Sequence, residues 1–199
     1  MFNTSKRIIS IALIAAIFTS SNFCYSSQAE KNSTSVKAEK IKAKGLGNFY
    51  KVSDDLYRGK QPTAQGVAKL KEMGIKTIIN LRTTDTDEKL LKQYDFNYAM
   101  IPMKAKNPKE EDIVKFLKTV TDKNNTPVFV HCMRGADRTG FMCAIFRIVV
   151  QDWTKEAAID EMINGGFKFS PLCKNLAEYI NKLDIEKIRN EVNIRQMSN

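Results

Sequence analysis

The chain has 199 residues, which is enough for one domain with a substantial core behind an N-terminal leader. Its 32 Lys and Arg outnumber its 22 Asp and Glu and give a net charge of +10, which favours anionic partners. No run of basic residues interleaved with aromatic ones is present, so a nucleic-acid surface is not expected. The four cysteines form no Cys-x-x-Cys pair or Cys/His cluster, so neither a metal site nor a cofactor is expected.

The amino end has the pattern of an export signal. Lys6 and Arg7 precede the apolar run at residues 8–18, which is too short to span a bilayer as a helix. Small residues up to Ala29 suit a signal peptidase. The sequence predicts a cleaved signal peptide over residues 1–29 of a bacterial protein exported to the periplasm or the medium, with membrane anchoring through residues 8–18 as the alternative. Residues 30–45 are polar and are predicted to be a flexible lead-in.

The remaining chain alternates helix and strand patterns. Helices are predicted over residues 63–73, 87–94, 108–122, 139–150, 154–163 and about 171–188, and strands over residues 77–81, 98–101 and 128–130. Such alternation implies an α/β fold with a central, mostly parallel sheet flanked by helices. The domain is predicted to cover residues 46–190, followed by a polar tail over residues 191–199.

The segment from His131 to Gly140 joins the predicted strand at residues 128–130 to the next predicted helix. The chain must turn sharply there, so several backbone N–H groups point together beside a helix N-terminus. Such a turn binds a phosphate dianion. The phosphate would contact the loop residues Met133, Arg134, Gly135, Ala136, Asp137 and Arg138.

The residue types in this loop point to nucleophilic chemistry. A helix N-terminus and nearby cations lower the pKa of a cysteine, so Cys132 is predicted to be a thiolate nucleophile. Arg138 can grip two phosphate oxygens with its planar guanidinium. Thr139 is placed to hydrogen-bond the sulfur and make it a better leaving group. His131 is predicted to order the loop, with its side chain directed away from that of Cys132.

The order His, Cys, five residues, Arg and Thr resembles the signature of the protein tyrosine phosphatase superfamily. Residues 49–62 and 74–82 are also similar to the opening of compact dual-specificity-type phosphatases, and the resemblance covers roughly residues 48–183. It implies the fold of that family, hydrolysis of phosphomonoesters through a cysteinyl-phosphate intermediate, and a shallow cleft.

The resemblance leaves the proton donor open. Dual-specificity phosphatases carry an aspartate upstream of the cysteine that protonates the leaving oxygen, and here Asn107 occupies that position, where an amide can at most orient a water. Asp137 is the best replacement, because myotubularin-like and Sac-type phosphatases also carry an aspartate in the loop. The alternative is that Asp137 pairs with Arg134 or caps the following helix. Weaker candidates are Asp85, Asp87, Glu110, Glu111 and Asp112.

Three functions remain open. The leading hypothesis is a protein tyrosine or dual-specificity phosphatase, the second is a phosphoinositide or inositol-polyphosphate phosphatase, and the third is a phosphate-binding module without turnover. The partner is accordingly a phosphorylated protein or a phosphorylated inositol or lipid, and a monomer is expected. Cys143 is expected to be a core residue. A disulfide between Cys173 and Cys132 is a possibility that the sequence leaves open.

Overall fold

The computed structural model describes residues 36–194, which form a six-stranded sheet flanked by helices. The strands are β1 (Glu39–Lys40), β2 (Tyr50–Lys51), β3 (Leu56–Lys60), β4 (Thr77–Asn80), β5 (Asn97–Met100) and β6 (Val128–Cys132), in the spatial order β1-β2-β3-β6-β4-β5. β3, β6, β4 and β5 run parallel, while β1 and β2 extend the sheet in antiparallel fashion. The predicted fold class, with a mostly parallel central sheet, is confirmed.

The helices follow the predicted order up to residue 164. They are α1 (Ala64–Glu72), α2 (Glu88–Leu91), α3 (Glu110–Thr121), α4 (Asp137–Val150), α5 (Lys155–Asn164), α6 (Asn175–Lys182) and α7 (Ile185–Val192), with a 3₁₀ turn at Pro171–Cys173. The expected cap of α5 is present, because the Thr154 hydroxyl accepts the N–H of Ala157 at 3.1 Å. Within residues 36–194 no helix is long and apolar enough to cross a bilayer.

The C-terminal part differs from the single helix that the sequence predicts over residues 171–188. The 3₁₀ turn precedes α6, and α7 begins after a break at Asp184. The Asp184 carboxylate accepts the N–H of Lys187 at 3.0 Å and so starts a new helix. The prediction of one continuous helix is wrong because this aspartate acts as a cap. α7 also includes residues 191 and 192, which the sequence assigns to the polar tail.

Residues 36–45 are part of the sheet and its surroundings, whereas the sequence predicts a flexible lead-in there. β1 pairs with β2, and the N–H of Ala38 donates to the Glu161 carboxylate at 2.7 Å. A Cβ on Gly45 would lie 2.2 Å from the nitrogen of Gly66 in α1. These contacts are made by the backbone, so the polar composition of the segment does not indicate them. The predicted signal peptide lies outside the described residues.

Side chains of β6 alternate between the two faces of the sheet. Val128, Val130 and Cys132 pack in the core cluster that contains α3 and α4, while Phe129 packs in the cluster that contains α1. The ring of His131 stacks on Phe129 with the centroids 5.6 Å apart. His131 and Cys132 therefore face opposite sides of the sheet, as predicted.

Candidate active site

The loop between β6 and α4 is seated directly on β3. Gly135 has a φ of +66°, and a Cβ there would lie 2.3 to 2.5 Å from backbone atoms of Gly59 and Lys60. Only glycine fits this position. Ala136 precedes α4 and provides no side-chain cap, so the first N–H groups of α4 remain available to an anion.

Two side chains hold carbonyl groups of this loop. The Arg58 Nη2 donates to the carbonyl of Gly135 at 2.9 Å and to that of Ala136 at 3.4 Å. The Asn48 Nδ2 donates to the carbonyls of Arg134 at 3.1 Å and Gly135 at 3.0 Å. Because Arg58 and Asn48 bind these carbonyls on the outer side of the loop, the N–H groups of the same peptides point toward its concave side. Sequence reasoning missed both roles, although an arginine inside a buried strand pattern is a signal that can be recognised.

Cys132 is 3% exposed and begins the loop. Burial raises the pKa of its thiol, but hydrogen bonds from the hydroxyl and N–H of Thr139, the charge of Arg138 and the N–H of Arg134 oppose this effect and hold the pKa of Cys132 below its ordinary value. A lowered pKa increases the thiolate fraction, and the thiolate is the nucleophilic form.

Arg138 and Thr139 lie in the first turn of α4, next to Cys132. The Arg138 Nη1 donates to the Leu81 carbonyl at 3.1 Å, and no carboxylate of the described residues lies within ion-pair distance of Arg138. Its remaining N–H groups can bind phosphate oxygens. The Thr139 hydroxyl is buried and is directed at the Cys132 thiol, whose pKa it lowers.

His131 belongs to a buried polar group behind the loop. Its Nε2 lies 3.3 Å from the Asp87 Oδ2, and the Asp87 Oδ1 accepts the Gln61 Nε2 at 2.6 Å. The Gln61 N–H in turn donates to the Cys132 carbonyl at 2.9 Å. Burial lowers the pKa of His131 to about 4, although the Asp87 charge acts in the opposite direction. Asp87 thus contacts His131 rather than facing the Cys132 side of the sheet.

Asp137 is engaged by two donors. Its Oδ2 accepts the Arg134 Nη2 at 2.7 Å, and its Oδ1 accepts the N–H of Ser170 at 2.7 Å. Both oxygens act as acceptors, so this geometry is the pairing alternative that the sequence left open. Asp137 links the loop to the segment before the 3₁₀ turn. The side chain of Met133, which also belongs to the loop, is exposed.

The remaining acid candidates have other partners or lie at the start of α3. Burial raises the pKa of Asp85, but hydrogen bonds from Tyr98 and from two N–H groups of the α2 start outweigh it and hold the pKa of Asp85 low. Glu110 pairs with Lys187. Glu110, Glu111 and Asp112 form the first turn of α3, where negative charge favours the helix dipole.

Asn107 lies on an exposed loop after β5. Its N–H donates to the Lys104 carbonyl at 3.0 Å, and the Asn175 Nδ2 holds the Ala105 carbonyl at 2.8 Å. The loop thus has a fixed shape and carries an amide at the position where the resemblance implies a carboxyl group.

The cysteines beyond Cys132 differ in their surroundings. Cys132, Cys143 and Cys173 are all free thiols. Burial raises the pKa of Cys143 to about 11. Burial and the Asp137 charge raise the pKa of Cys173, which lies partly exposed near the loop. Among residues 36–194 no group of three His, Cys, Asp or Glu side chains could hold a metal ion.

Residues 30–176 match the sequence model of a family described as a DSP-PTPase phosphatase fused to NAD+ kinase. The chain belongs to this dual-specificity-type phosphatase family. The dual specificity protein phosphatase TpbA of Pseudomonas aeruginosa is 33% identical over 143 residues, which are 71% of this chain and 65% of TpbA. The match thus spans slightly less than two thirds of that relative. The inositol diphosphatase DSP3 of Arabidopsis thaliana is 29% identical over 151 residues, which are 71% of this chain and 72% of that protein.

Solved structures agree with this family membership. The crystal structure of P. aeruginosa TpbA has a TM-score of 0.72 at 30% identity, covering 81% of this chain and 98% of TpbA. The C132S variant of TpbA in complex with pTyr has a TM-score of 0.71 at 29% identity, with the same coverage of both chains. The predicted resemblance to dual-specificity-type phosphatases is confirmed.

Proposed function

We propose that this protein is a cysteine-dependent phosphatase that hydrolyses phosphomonoesters through a cysteinyl-phosphate intermediate. The observation that carries the proposal is the Cys132 thiol, whose pKa is held low at the start of a loop with N–H groups available to an anion. A thiolate beside an anion site is arranged for attack on phosphorus. Membership of the dual-specificity-type family supports the same reaction.

The reaction has two steps. The Cys132 thiolate attacks phosphorus, the S–P bond forms, and the bond from phosphorus to the substrate oxygen breaks. The loop N–H groups and the Arg138 guanidinium bind the oxygens on which charge develops. Water then attacks phosphorus, the new P–O bond forms and the S–P bond breaks with its electron pair on sulfur, which the Thr139 hydroxyl stabilises. Inorganic phosphate leaves, and over the two steps the proton lost by water balances the proton gained by the released alcohol or phenol.

Phosphotyrosine in proteins is the first candidate substrate. The complex of TpbA with pTyr supports this choice, since TpbA shares the fold and about 30% of the sequence over the matched region. The phenol of tyrosine has a pKa of about 10, which makes it a better leaving group than an aliphatic alcohol.

An inositol that carries a diphosphate group is the second candidate substrate. The residues at the two main positions considered for the proton donor, Asn107 and Asp137, favour it. Asn107 carries an amide, and both oxygens of Asp137 accept hydrogen bonds. Cleavage of a phosphoanhydride releases a phosphate with a pKa of about 6, which needs no proton from the enzyme. The similarity to a plant inositol diphosphatase supports this alternative.

A phosphate-release panel tests the proposal. Substrates would be a phosphotyrosine peptide, a phosphothreonine peptide, phosphoinositides, phytate and a diphosphoinositol polyphosphate, each with the wild-type protein and Cys132→Ser. We expect turnover that follows the leaving group, with the diphosphate or the phosphotyrosine peptide fastest and Cys132→Ser inactive on all. Equal activity of Cys132→Ser would refute the mechanism, and phosphate binding without turnover would leave the binding-module hypothesis.

We further propose export through cleavage after Ala29 and action as a monomer on substrates outside the cytoplasm. The charge and apolar pattern of residues 6–29 supports export. Expression of the full chain in a bacterium, followed by fractionation and N-terminal sequencing, tests it. A mature chain that begins near Glu30 in the periplasm or medium is expected, and an intact chain in the membrane fraction would support the anchored alternative.

A further inference from the structure

Arg58 is a buried guanidinium without a carboxylate partner. It is 1% exposed, and within residues 36–194 no Asp or Glu lies within ion-pair distance of it. The other two buried arginines are paired, Arg147 with Glu161 at 2.8 Å and Arg189 with Asp152 at 2.6 Å. A buried charge is costly unless an opposite charge or strong hydrogen bonds compensate it.

The contacts of Arg58 are to neutral groups. Nη2 donates to the Gly135 and Ala136 carbonyls, and the guanidinium lies 3.7 Å from the centroid of the Phe167 ring. Its buried Nε has no hydrogen-bond partner in the described chain. Burial lowers the pKa of Arg58, but an arginine remains charged in proteins. The positive charge behind the loop is therefore compensated only in part.

The position of Arg58 in the sheet narrows the choice of a counter-charge. Arg58 pairs with Val130, so its side chain lies on the same face of the sheet as that of Cys132. The groups whose charges act on Arg58 include Cys143, Glu161, Cys132 and Tyr50. Burial raises the pKa of Cys143 to about 11, so that thiol is neutral near pH 7. Glu161 is committed to Arg147 through two contacts of 2.8 Å and to the Ala38 N–H. The Tyr50 hydroxyl donates to the Gly166 carbonyl at 3.3 Å. Cys132 is the remaining group that can supply an anion.

We propose that Arg58 is a positioning residue whose buried charge is balanced by the Cys132 thiolate and, after transfer, by the phosphoryl group. This inference rests on the proposed role of Cys132. Through its bonds to the Gly135 and Ala136 carbonyls, Arg58 also fixes the loop that binds the phosphate. The shape of the anion site and the ionisation of its nucleophile thus depend on the same side chain, which reacts with nothing itself.

The test measures the reactivity of the thiol, which does not require turnover. Wild-type protein, Arg58→Met, Arg58→Lys and the control Arg189→Met would be alkylated with iodoacetamide across pH 5–10, and modification of the Cys132 peptide would be followed by mass spectrometry. We expect Arg58→Met to move the midpoint of the Cys132 profile to higher pH and to slow alkylation at pH 7 about ten-fold. Arg58→Lys should lie between Arg58→Met and wild type, because lysine keeps the charge but its shorter side chain and single nitrogen do not reproduce the position of the Arg58 Nη2 donor.

Arg189→Met separates this effect from loss of stability. It removes another buried arginine, whose contacts with Asp152 and with the Ile148 and Val149 carbonyls involve neither the loop nor a group beside Arg58, so its Cys132 midpoint should equal that of wild type even if its thermal midpoint falls. A wild-type midpoint in Arg58→Met would overturn the proposal. If Arg58→Met does not fold, Arg58→Lys provides the test. The proposal would be overturned if Arg58→Lys leaves both the Cys132 alkylation midpoint and the thermal shift caused by inorganic phosphate unchanged. If the wild-type protein has a lowered Cys132 alkylation midpoint but hydrolyses none of the substrates of the phosphate-release panel, the proposed function is refuted while the role of Arg58 stands.

Discussion

Arg58 and Arg147 are both fully buried, but their surroundings differ at the two ends of α4. Arg58 contacts the loop before α4, here called the catalytic end, and Arg147 lies in the last turn of α4, here called the paired end. Arg147 makes a two-pronged ion pair with Glu161 at 2.8 Å, donates to Gln151 and lies 4.2 Å from the centroid of the Trp153 ring. Arg58 has only neutral acceptors and one unpartnered nitrogen. The charges of Arg147 and Glu161 neutralise each other and stabilise the fold. The charge of Arg58, in our proposal, is balanced by a group at the catalytic loop. A buried cation without a carboxylate partner is thus a useful marker of an anion site.

The largest effect on stability is expected at the paired end. Arg147→Met leaves the Glu161 carboxylate buried without its partner and should lower the free energy of unfolding by about 3–5 kcal/mol. The double variant with Glu161→Gln should recover much of this loss, because no buried charge remains. Urea denaturation measures both. A single variant as stable as the double one would show that the two residues are not coupled.

At the catalytic end, Gly135→Ala should be the most damaging small substitution. The added Cβ meets the backbone of β3 at 2.3 Å and occupies a positive φ, so we expect a loss of about 2–4 kcal/mol together with loss of phosphatase activity. Gly74→Ala is the control, because Gly74 also has a positive φ but nothing within 4 Å of the added atom. Its cost should be about 1 kcal/mol with activity retained. Equal effects at both glycines would contradict the seating of the loop on β3.

The thiolate itself should stabilise the catalytic end in a pH-dependent way. Because the pKa of Cys132 is lowered in the fold, its ionisation adds stability that is complete above the ordinary thiol pKa of about 8.5 and is lost as pH falls through the lowered pKa. The stability difference between wild type and Cys132→Ser should therefore grow between mildly acidic and alkaline pH, by about 1.4 kcal/mol for each unit by which the pKa is lowered. Denaturation at several pH values measures it. A constant difference would argue against a thiolate.

A smaller effect is expected at Asp137. If the carboxylate serves to hold Arg134 and the Ser170 N–H, Asp137→Asn should cost about 1 kcal/mol and reduce turnover of aryl and alkyl phosphates by a similar factor. A selective loss on substrates with poor leaving groups would instead identify Asp137 as the proton donor. The ratio of kcat values for p-nitrophenyl phosphate and a phosphothreonine peptide separates the two roles.

The sequence was sufficient to predict what neighbours along the chain determine. Local patterns predict Cys132, Arg138 and Thr139 at the junction between a strand and a helix, and the structure has Cys132 at the end of β6 and the other two in the first turn of α4. The Thr154 cap also follows from local pattern. The family and the fold class were likewise predictable. For Asp137, two local alternatives were apparent, but the N–H of Ser170, which favours one of them, is 33 residues away.

What escaped prediction depends on distant partners. Arg58 and Asn48 reach carbonyls 77 and 87 residues further along the chain, and no periodicity encodes such contacts. The folded segment 36–45 is held by backbone contacts that its polar side chains do not reveal. The helix break at Asp184 was missed for a different reason. An aspartate fits the polar face of a helix as well as it fits a cap, so the sequence pattern does not distinguish the two.

The amide of Asn48 also reaches the carbonyl of Phe167 at 2.9 Å, in addition to the two carbonyls of the catalytic loop. One side-chain nitrogen thus joins the loop to the chain that leads into the 3₁₀ turn, and Asp137 makes a second connection to Ser170 in the same stretch. An insertion or deletion between residues 165 and 170 would therefore shift the loop that carries Cys132. We expect relatives of this protein to keep this segment at constant length.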